Sequence, residues 1–198
     1  IAFKNKASYQ AALGEAHERA GRADMAALFY DEALKIDSTL LDVRIRRARY
    51  RVRVGRVSEA LDDVREVVRR ERRADALSLM GDCYIELRQG SAAVRAYQDA
   101  IKVDPGFGEA YYKLGRAHHD DGKAQQAIQN LRRALEAGKE QAPWTADAHL
   151  LLGYAYKQTR QKSQAIEQFK RYLDLSAADA PDREEVKREL RFLGVEAS

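Results

Sequence analysis

The chain has 198 residues, 45% of them hydrophobic and 33% charged, with a formal net charge of +4. That balance suits a folded protein of one or two domains, and no apolar run approaches the roughly 18 residues of a membrane span. A single cysteine, Cys83, excludes an internal disulfide and a cysteine-rich metal site. The sequence opens at Ile1 with no initiator Met and no signal-like segment. It reads as a piece of a longer precursor, with a removed signal peptide or a missing neighbouring domain left open. No compartment is named, and the cytoplasm is only slightly favoured.

Residues 1–6 show no clear pattern and are set apart as an N-terminal remnant. Apolar periodicity then predicts helices over about 7–20 and 23–36, 41–54 and 57–70, 74–88 and 91–103. It continues with helices over about 108–121 and 124–137, 145–159 and 162–174, and a last one over about 182–193. One phrase recurs near the middle of each first helix: Leu13-Gly14-Glu15-Ala16-His17, Arg47-Ala48-Arg49-Tyr50-Arg51, Met80-Gly81-Asp82-Cys83-Tyr84, Leu114-Gly115-Arg116-Ala117-His118 and Leu152-Gly153-Tyr154-Ala155-Tyr156. Its small residues at 14, 48, 81, 115 and 153 stand 34, 33, 34 and 38 residues apart. A second phrase follows in the partner helix, as in Ala26…Tyr30…Ala33, Ala93…Tyr97…Ala100 and Ala127…Leu131…Ala134. Small residues on both helices let a hairpin close tightly, and Tyr30, Tyr97 and Phe169 fill the space beside them. Gly21, Gly55 and Gly122 stand where first helices must end in a left-handed cap. Ser58, Ser91 and Ser163 are placed to cap the helices that follow.

These five units resemble the tetratricopeptide-repeat (TPR) family, a helix–turn–helix of roughly 34 residues with the pattern W-x2-L-G-x2-Y…A-x3-F…P. The departures are a missing Trp at every start, Arg47-Ala48 in place of Leu-Gly, and a loose end of unit five at Ala177-Ala178. The resemblance implies an all-α, right-handed superhelical solenoid of antiparallel helix pairs, with repeats at about 7–40, 41–73, 74–107, 108–144 and 145–178. Residues 179–198 would supply a capping helix and tail, with Val186, Leu190 and Leu193 inward. Stacking is expected to give one continuous core. The long interval places a four-residue insertion near Gly138–Thr145, which carries the sole Trp, Trp144.

The family resemblance implies a non-enzymatic scaffold or adaptor that binds a segment of another protein along a concave groove lined by first helices. Helical spacing supplies the stripes: Ser8, Ala11, Ala12, Glu15 and Arg19; then Asp42, Ile45, Arg46, Arg49 and Arg53; then Asp75, Ser78, Leu79, Asp82 and Glu86. Repeat four offers Glu109, Tyr112, Lys113, Arg116 and His119, and repeat five Asp147, Leu151, Tyr154 and Gln158. The proposed partner-binding residues are Arg46, Arg49, Arg53, Asp82, Tyr112, Lys113, Arg116, Leu151 and Tyr154. Residues 41–73 hold twelve Arg against six acids. The expected ligand therefore carries acidic groups over repeat two and basic ones over repeat three, with Tyr112, Leu151 and Tyr154 as apolar anchors. Only Asn5 and Asn130 are asparagines, which argues against the carboxylate-clamp and asparagine-ladder classes of this family.

Other readings are weaker. The Arg-rich stretches 44–56 and 65–73 would attract phosphates, but acids of repeat three interrupt the track, so nucleic acid is not the expected partner. Self-association is a further alternative, through Phe3 and the exposed face of helix 7–20. His17 and His118 hold the aromatic place of the phrase and read as core, and Cys83 reads as a small buried hydrophobe. No catalytic or phosphate-loop motif is present, and no cofactor or metal is implied. Arg in excess of Lys has the style of a bacterial high-GC genome, where such modules serve larger proteins and assemblies.

Overall fold

In the computed structural model the backbone is described for residues 2–138 and 142–195, and side chains from residue 5 onward within those limits. The helices are α1 (Ala2–Arg19), α2 (Ala23–Ile36), α3 (Leu41–Arg53), α4 (Val57–Arg70), α5 (Ala74–Glu86) and α6 (Gly90–Val103). They continue as α7 (Gly108–Asp120), α8 (Ala124–Ala137), α9 (Thr145–Gln158), α10 (Lys162–Leu175) and α11 (Arg183–Phe192). No strand occurs among the described residues, and the fold is all-α and built of antiparallel helix pairs. One boundary differs from expectation: α1 starts at Ala2, so residues 2–6 extend the first helix and are not a separate remnant. The side chain of Phe3 and residues 139–141 of the insertion lie outside the described residues.

The chain divides into two compact units, Ile1–Val103 and Asp104–Ser198. Unit one holds the hairpins α1–α2, α3–α4 and α5–α6, with α2 packed on α3 and α4 on α5. Unit two holds α7–α8 and α9–α10, with α8 packed on α9 and α11 on α10. The division falls at Asp104-Pro105. Proline cannot continue α6, and the Asp104 carboxylate accepts the Gly106 N–H at 2.9 Å to fix the turn. In place of one continuous core, the buried apolar side chains form three clusters among the described residues.

Each hairpin closes at its small residue. A Cβ built on Gly14, Gly81 or Gly153 would stand 2.4 Å from a ring carbon of Tyr30, Tyr97 or Phe169, and one on Gly115 would stand 2.7 Å from Leu131 Cγ. Repeat two solves the same problem differently. Ala48 and Val64, both fully buried in one cluster, replace the Gly–aromatic pair, so the added methyl faces a smaller partner.

The first helices end as expected at Gly21, Gly55 and Gly122, whose φ values are +72°, +77° and +71°. Their caps are Schellman turns, as in Arg22 N–H to His17 C=O at 2.9 Å. Arg88 and Arg160 hold the corresponding positions at φ +57° and +61°, where a side chain is strained. The serine caps are corrected. Arg56 and Gln161 occupy the N-cap positions with no side-chain hydrogen bond, and Ser58, Ser91 and Ser163 sit inside the first turns. The left-handed turn is too short to bring those serines to the cap.

The close approach at Gly81 is testable by denaturant unfolding. Gly81→Ala is expected to destabilise the chain by about 1–3 kcal/mol, because the Tyr97 ring is fully enclosed and cannot retreat. Adding Tyr97→Val, which recreates the Ala48–Val64 arrangement, should recover part of the loss.

Candidate functional site

Repeat two carries its charge on two faces of α3. Arg44, Arg47 and Arg51 recur at three- and four-residue spacing and turn toward α4. There they meet Asp63, which is only 3% exposed. Arg47 grips it with two hydrogen bonds, Nε to Oδ2 at 2.9 Å and Nη2 to Oδ1 at 2.6 Å. Arg51 Nη1 donates to Oδ2 at 2.7 Å and Arg44 Nη1 to Oδ1 at 3.2 Å. Arg47 also donates to Asp31 of the preceding hairpin at 2.6 Å. Burial works against the Arg47 charge, but Asp63 and then Asp31 outweigh it and raise its pKa. Arg47 and Arg51 stand where other hairpins place Leu or Met and an aromatic ring, which explains the departure of repeat two from the Leu-Gly phrase. Asp63 was not singled out by sequence. The legible signal was three arginines on one helical face, which calls for an acid opposite.

The outward face of α3 carries Arg46, Arg49 and Arg53. Arg46 is engaged: Nη1 donates to Glu18 Oε2 at 2.8 Å, and Nε lies 3.5 Å from Glu15. The same Glu18 oxygen accepts the Tyr30 hydroxyl at 2.8 Å, and burial followed by that carboxylate pushes the Tyr30 phenol above its ordinary range. Arg49 and Arg53 are exposed and make no hydrogen bond or ion pair among the described residues. On α5, Asp82 accepts the Tyr97 hydroxyl at 2.9 Å, and Asp75 is paired with Arg73 at 2.9 Å. Glu86 alone of that stripe's acids is exposed.

In unit two the expected anchors are placed more deeply. Tyr112 is 7% exposed, stacks on Trp144 with ring centres 5.4 Å apart, and directs its hydroxyl to Asp147 at 3.4 Å. It belongs to the core, and Trp144 of the insertion is its cover. Gly138 makes room for the indole, since a Cβ there would stand 2.3 Å from Trp144 Cη2. Lys113 pairs with Glu109 at 2.7 Å, and Arg116 is exposed. Leu151 packs half-buried against the core cluster. Tyr154 meets Phe169 edge-on at 5.2 Å and donates to Glu185 of α11 at 2.9 Å; burial and Glu185 raise its pKa. Lys157 Nζ likewise reaches Glu189 of α11 at 2.5 Å. The capping helix thus ties down the outward stripe of α9.

The histidines and the thiol sit apart from one another. His17 stacks on Phe29 at 5.0 Å and its Nδ1 accepts from Arg22 Nε at 3.0 Å. Buried His118 has no partner at Nδ1. Burial pushes the Cys83 thiol up to about 12, with Asp82 adding to the effect. Among the described residues no cluster of three or more His, Cys, Asp or Glu could hold a metal ion, and no helix is long and apolar enough to cross a membrane.

Comparisons with known proteins bear on the whole fold. Models of the tetratricopeptide repeat match residues 7–40 and 107–178, and a TPR-repeat model matches residues 81–122. A solved structure of a MamA protein superimposes with a TM-score of 0.68 at 22% identity, covering 93% of this chain and 94% of that one. TTC0263, a thermophilic TPR protein of Thermus thermophilus, gives 0.69 at 20% identity over 94% and 98% of the two chains. YrrB, described as a TPR protein with an unusual peptide-binding site, gives 0.64 at 20% identity over 92% and 90%. No curated protein matches the sequence.

Two variants test the buried groups. Asp63→Ala removes the buried acid that three enclosed guanidinium groups share, leaving Arg47 with Asp31 alone, and is expected to cost about 3 kcal/mol in urea unfolding. His118 has its pKa held below the ordinary value by burial and then by Lys123, with Asp121 opposing. The unfolded chain therefore binds the proton more readily. The stability of neutral His118 is complete above an unfolded pKa of about 6.5 and is lost as pH falls through it. Melting followed from pH 7.5 to pH 5 should show a smaller loss in His118→Tyr, the residue that Tyr84 and Tyr156 supply at the same place.

Proposed function

We propose, taking as premise that the chain belongs to the tetratricopeptide-repeat family, that it holds an acidic segment of another protein against the outward stripe of α3. The family and fold are in general those of non-enzymatic protein-interaction scaffolds, and the finer reading rests on repeat two. The observation that carries it is the contrast between the two faces of that helix. Arg44, Arg47 and Arg51 are consumed by Asp63 inside the hairpin, whereas Arg49 and Arg53, one helical turn apart, face solvent with no acid of their own. Two adjacent guanidinium forks suit carboxylates of an extended or helical acidic stretch. Arg46 is a flanking contact, available to a ligand only in exchange for Glu15 and Glu18. In unit two, Arg116 is the exposed cation of the expected set, while Leu151 and Tyr154 offer partly exposed apolar surface.

The same contrast weakens the nucleic-acid alternative. The inward guanidinium groups have side chains only 13–16% exposed and are already paired with acids, so three of the twelve arginines of repeat two are withdrawn from any phosphate track. Basic contacts over repeat three also lose ground, since Asp75 and Asp82 have internal donors.

The test is capture of bound protein from native lysate by wild type and by Arg49→Glu/Arg53→Glu, followed by titration with the recovered segment. Each charge-assisted contact contributes about 1.5 kcal/mol, so the double reversal should weaken binding by about 100-fold or more. Helical content should be unchanged. Undiminished affinity, or recovery of nucleic acid alone, overturns the proposal.

A further inference from the structure

The outward stripe of α1 ends on a cation that the fold leaves unused. Arg19, in the last turn of that helix, is exposed and makes no hydrogen bond or ion pair among the described residues. Its exposure belongs to the repeat: counted from the small residue of each hairpin, it corresponds to Arg53, Glu86, Asp120 and Gln158, all of them exposed. α1 and α3 are each joined to α2 by a short turn and pack on it, so the two run the same way. Their register is set by Arg46, whose guanidinium lies 3.5 Å from Glu15 and 2.8 Å from Glu18 of α1. Arg19 stands one turn on from Glu15, and Arg49 one turn on from Arg46, so the next turn of each helix sets a cation beside a cation. Arg53 follows one turn past Arg49, and like charges at that spacing repel. Three guanidinium groups without an acid of their own thus gather at one end of the α1–α3 face, an arrangement that works against the fold.

On the other side of α3 the charge is reversed. At the place of Arg53, α5 carries Glu86, exposed and likewise without a partner among the described residues. The negative end of a helix disfavours an acid, and α5 has no basic residue in its last turn, so the stability of α5 gives no reason for Glu86. We propose, resting on the reading that α3 holds an acidic segment of another protein, that this segment crosses from α3 onto α1. A third acid of the segment is held by Arg19, and Glu86 turns the acidic stretch away from α5. Arg19 is then a further binding residue and Glu86 the residue that fixes direction, since an acid over α5 meets like charge and an acid over α1 meets an open guanidinium fork. The segment that fits carries at least three acids and spans two neighbouring helices, in place of the single pair that Arg49 and Arg53 alone would read. Arg46 stays outside the set, because Glu15 and Glu18 already hold it.

An octaglutamate peptide carrying an uncharged fluorophore tests this on the whole chain, by fluorescence anisotropy at low salt. Wild type is expected to bind it, and Arg19→Gln to weaken binding by about 10-fold. Glu86→Lys extends the cationic row onto α5 and should strengthen binding by about fivefold, a gain that no loss of folding can mimic. Both variants should keep the wild-type circular dichroism spectrum. Suppose Arg49→Glu/Arg53→Glu abolishes binding while either Arg19→Gln or Glu86→Lys leaves it unchanged. The acidic ligand then stands on α3 alone, and its crossing onto α1 is overturned. If wild type does not bind the peptide, or binding survives Arg49→Glu/Arg53→Glu, the reading of α3 falls and this inference falls with it.

Discussion

The fold depends on how closely two antiparallel helices approach at one point per hairpin. At Gly14, Gly81, Gly115 and Gly153 the facing ring or leucine occupies the space a Cβ would need. That contact sets the separation of the pair and hence which residues of the first helix turn inward and which outward. The outward residues that make up the candidate site are placed by this constraint and not by contacts of their own. The Ala48–Val64 pair of repeat two shows that the rule concerns summed volume and not the identity of the residue.

The helical layout was legible because small residues at nearly constant intervals report this contact directly. The left-handed turns at Gly21, Gly55 and Gly122 were legible for the same reason, since few residues but glycine adopt that backbone readily. Arg88 and Arg160 hold the same conformation without any sign in their identity. The division at Asp104-Pro105 was visible as a stop to one helix, but the three separate clusters were not. They depend on which side chains touch across the interfaces, and stacking patterns alone do not report that.

The site was legible only in part. Spacing identified the outward stripes of α3, but it could not tell Arg46, engaged by Glu18, from Arg49 and Arg53, which lack such a partner. The distinction lies in a glutamate 28 residues earlier in the chain. Tyr112 was assigned to the surface because its spacing fits the stripe. The insertion before α9, however, folds Trp144 over it and moves it into the core. Likewise the carboxylates of α11 reach Tyr154 and Lys157, so the last helix reshapes a surface that repeat periodicity assigns to α9 alone.

The arginine cluster around Asp63 has a consequence for the behaviour of the protein on warming. Hydration of charged groups becomes less favourable as temperature rises, so the cost of enclosing Asp63 with its three arginines falls, while apolar burial gains little further. The second hairpin adds that cluster to its buried Ile45, Ala48, Leu61, Val64 and Val67, whereas the first closes on Tyr30 and aliphatic side chains. Heating therefore shifts the balance of local stability toward the hairpin that encloses Asp63. The ionic hairpin then acts as the thermal anchor of the unit, in a place where sequence alone suggested only an excess of positive charge.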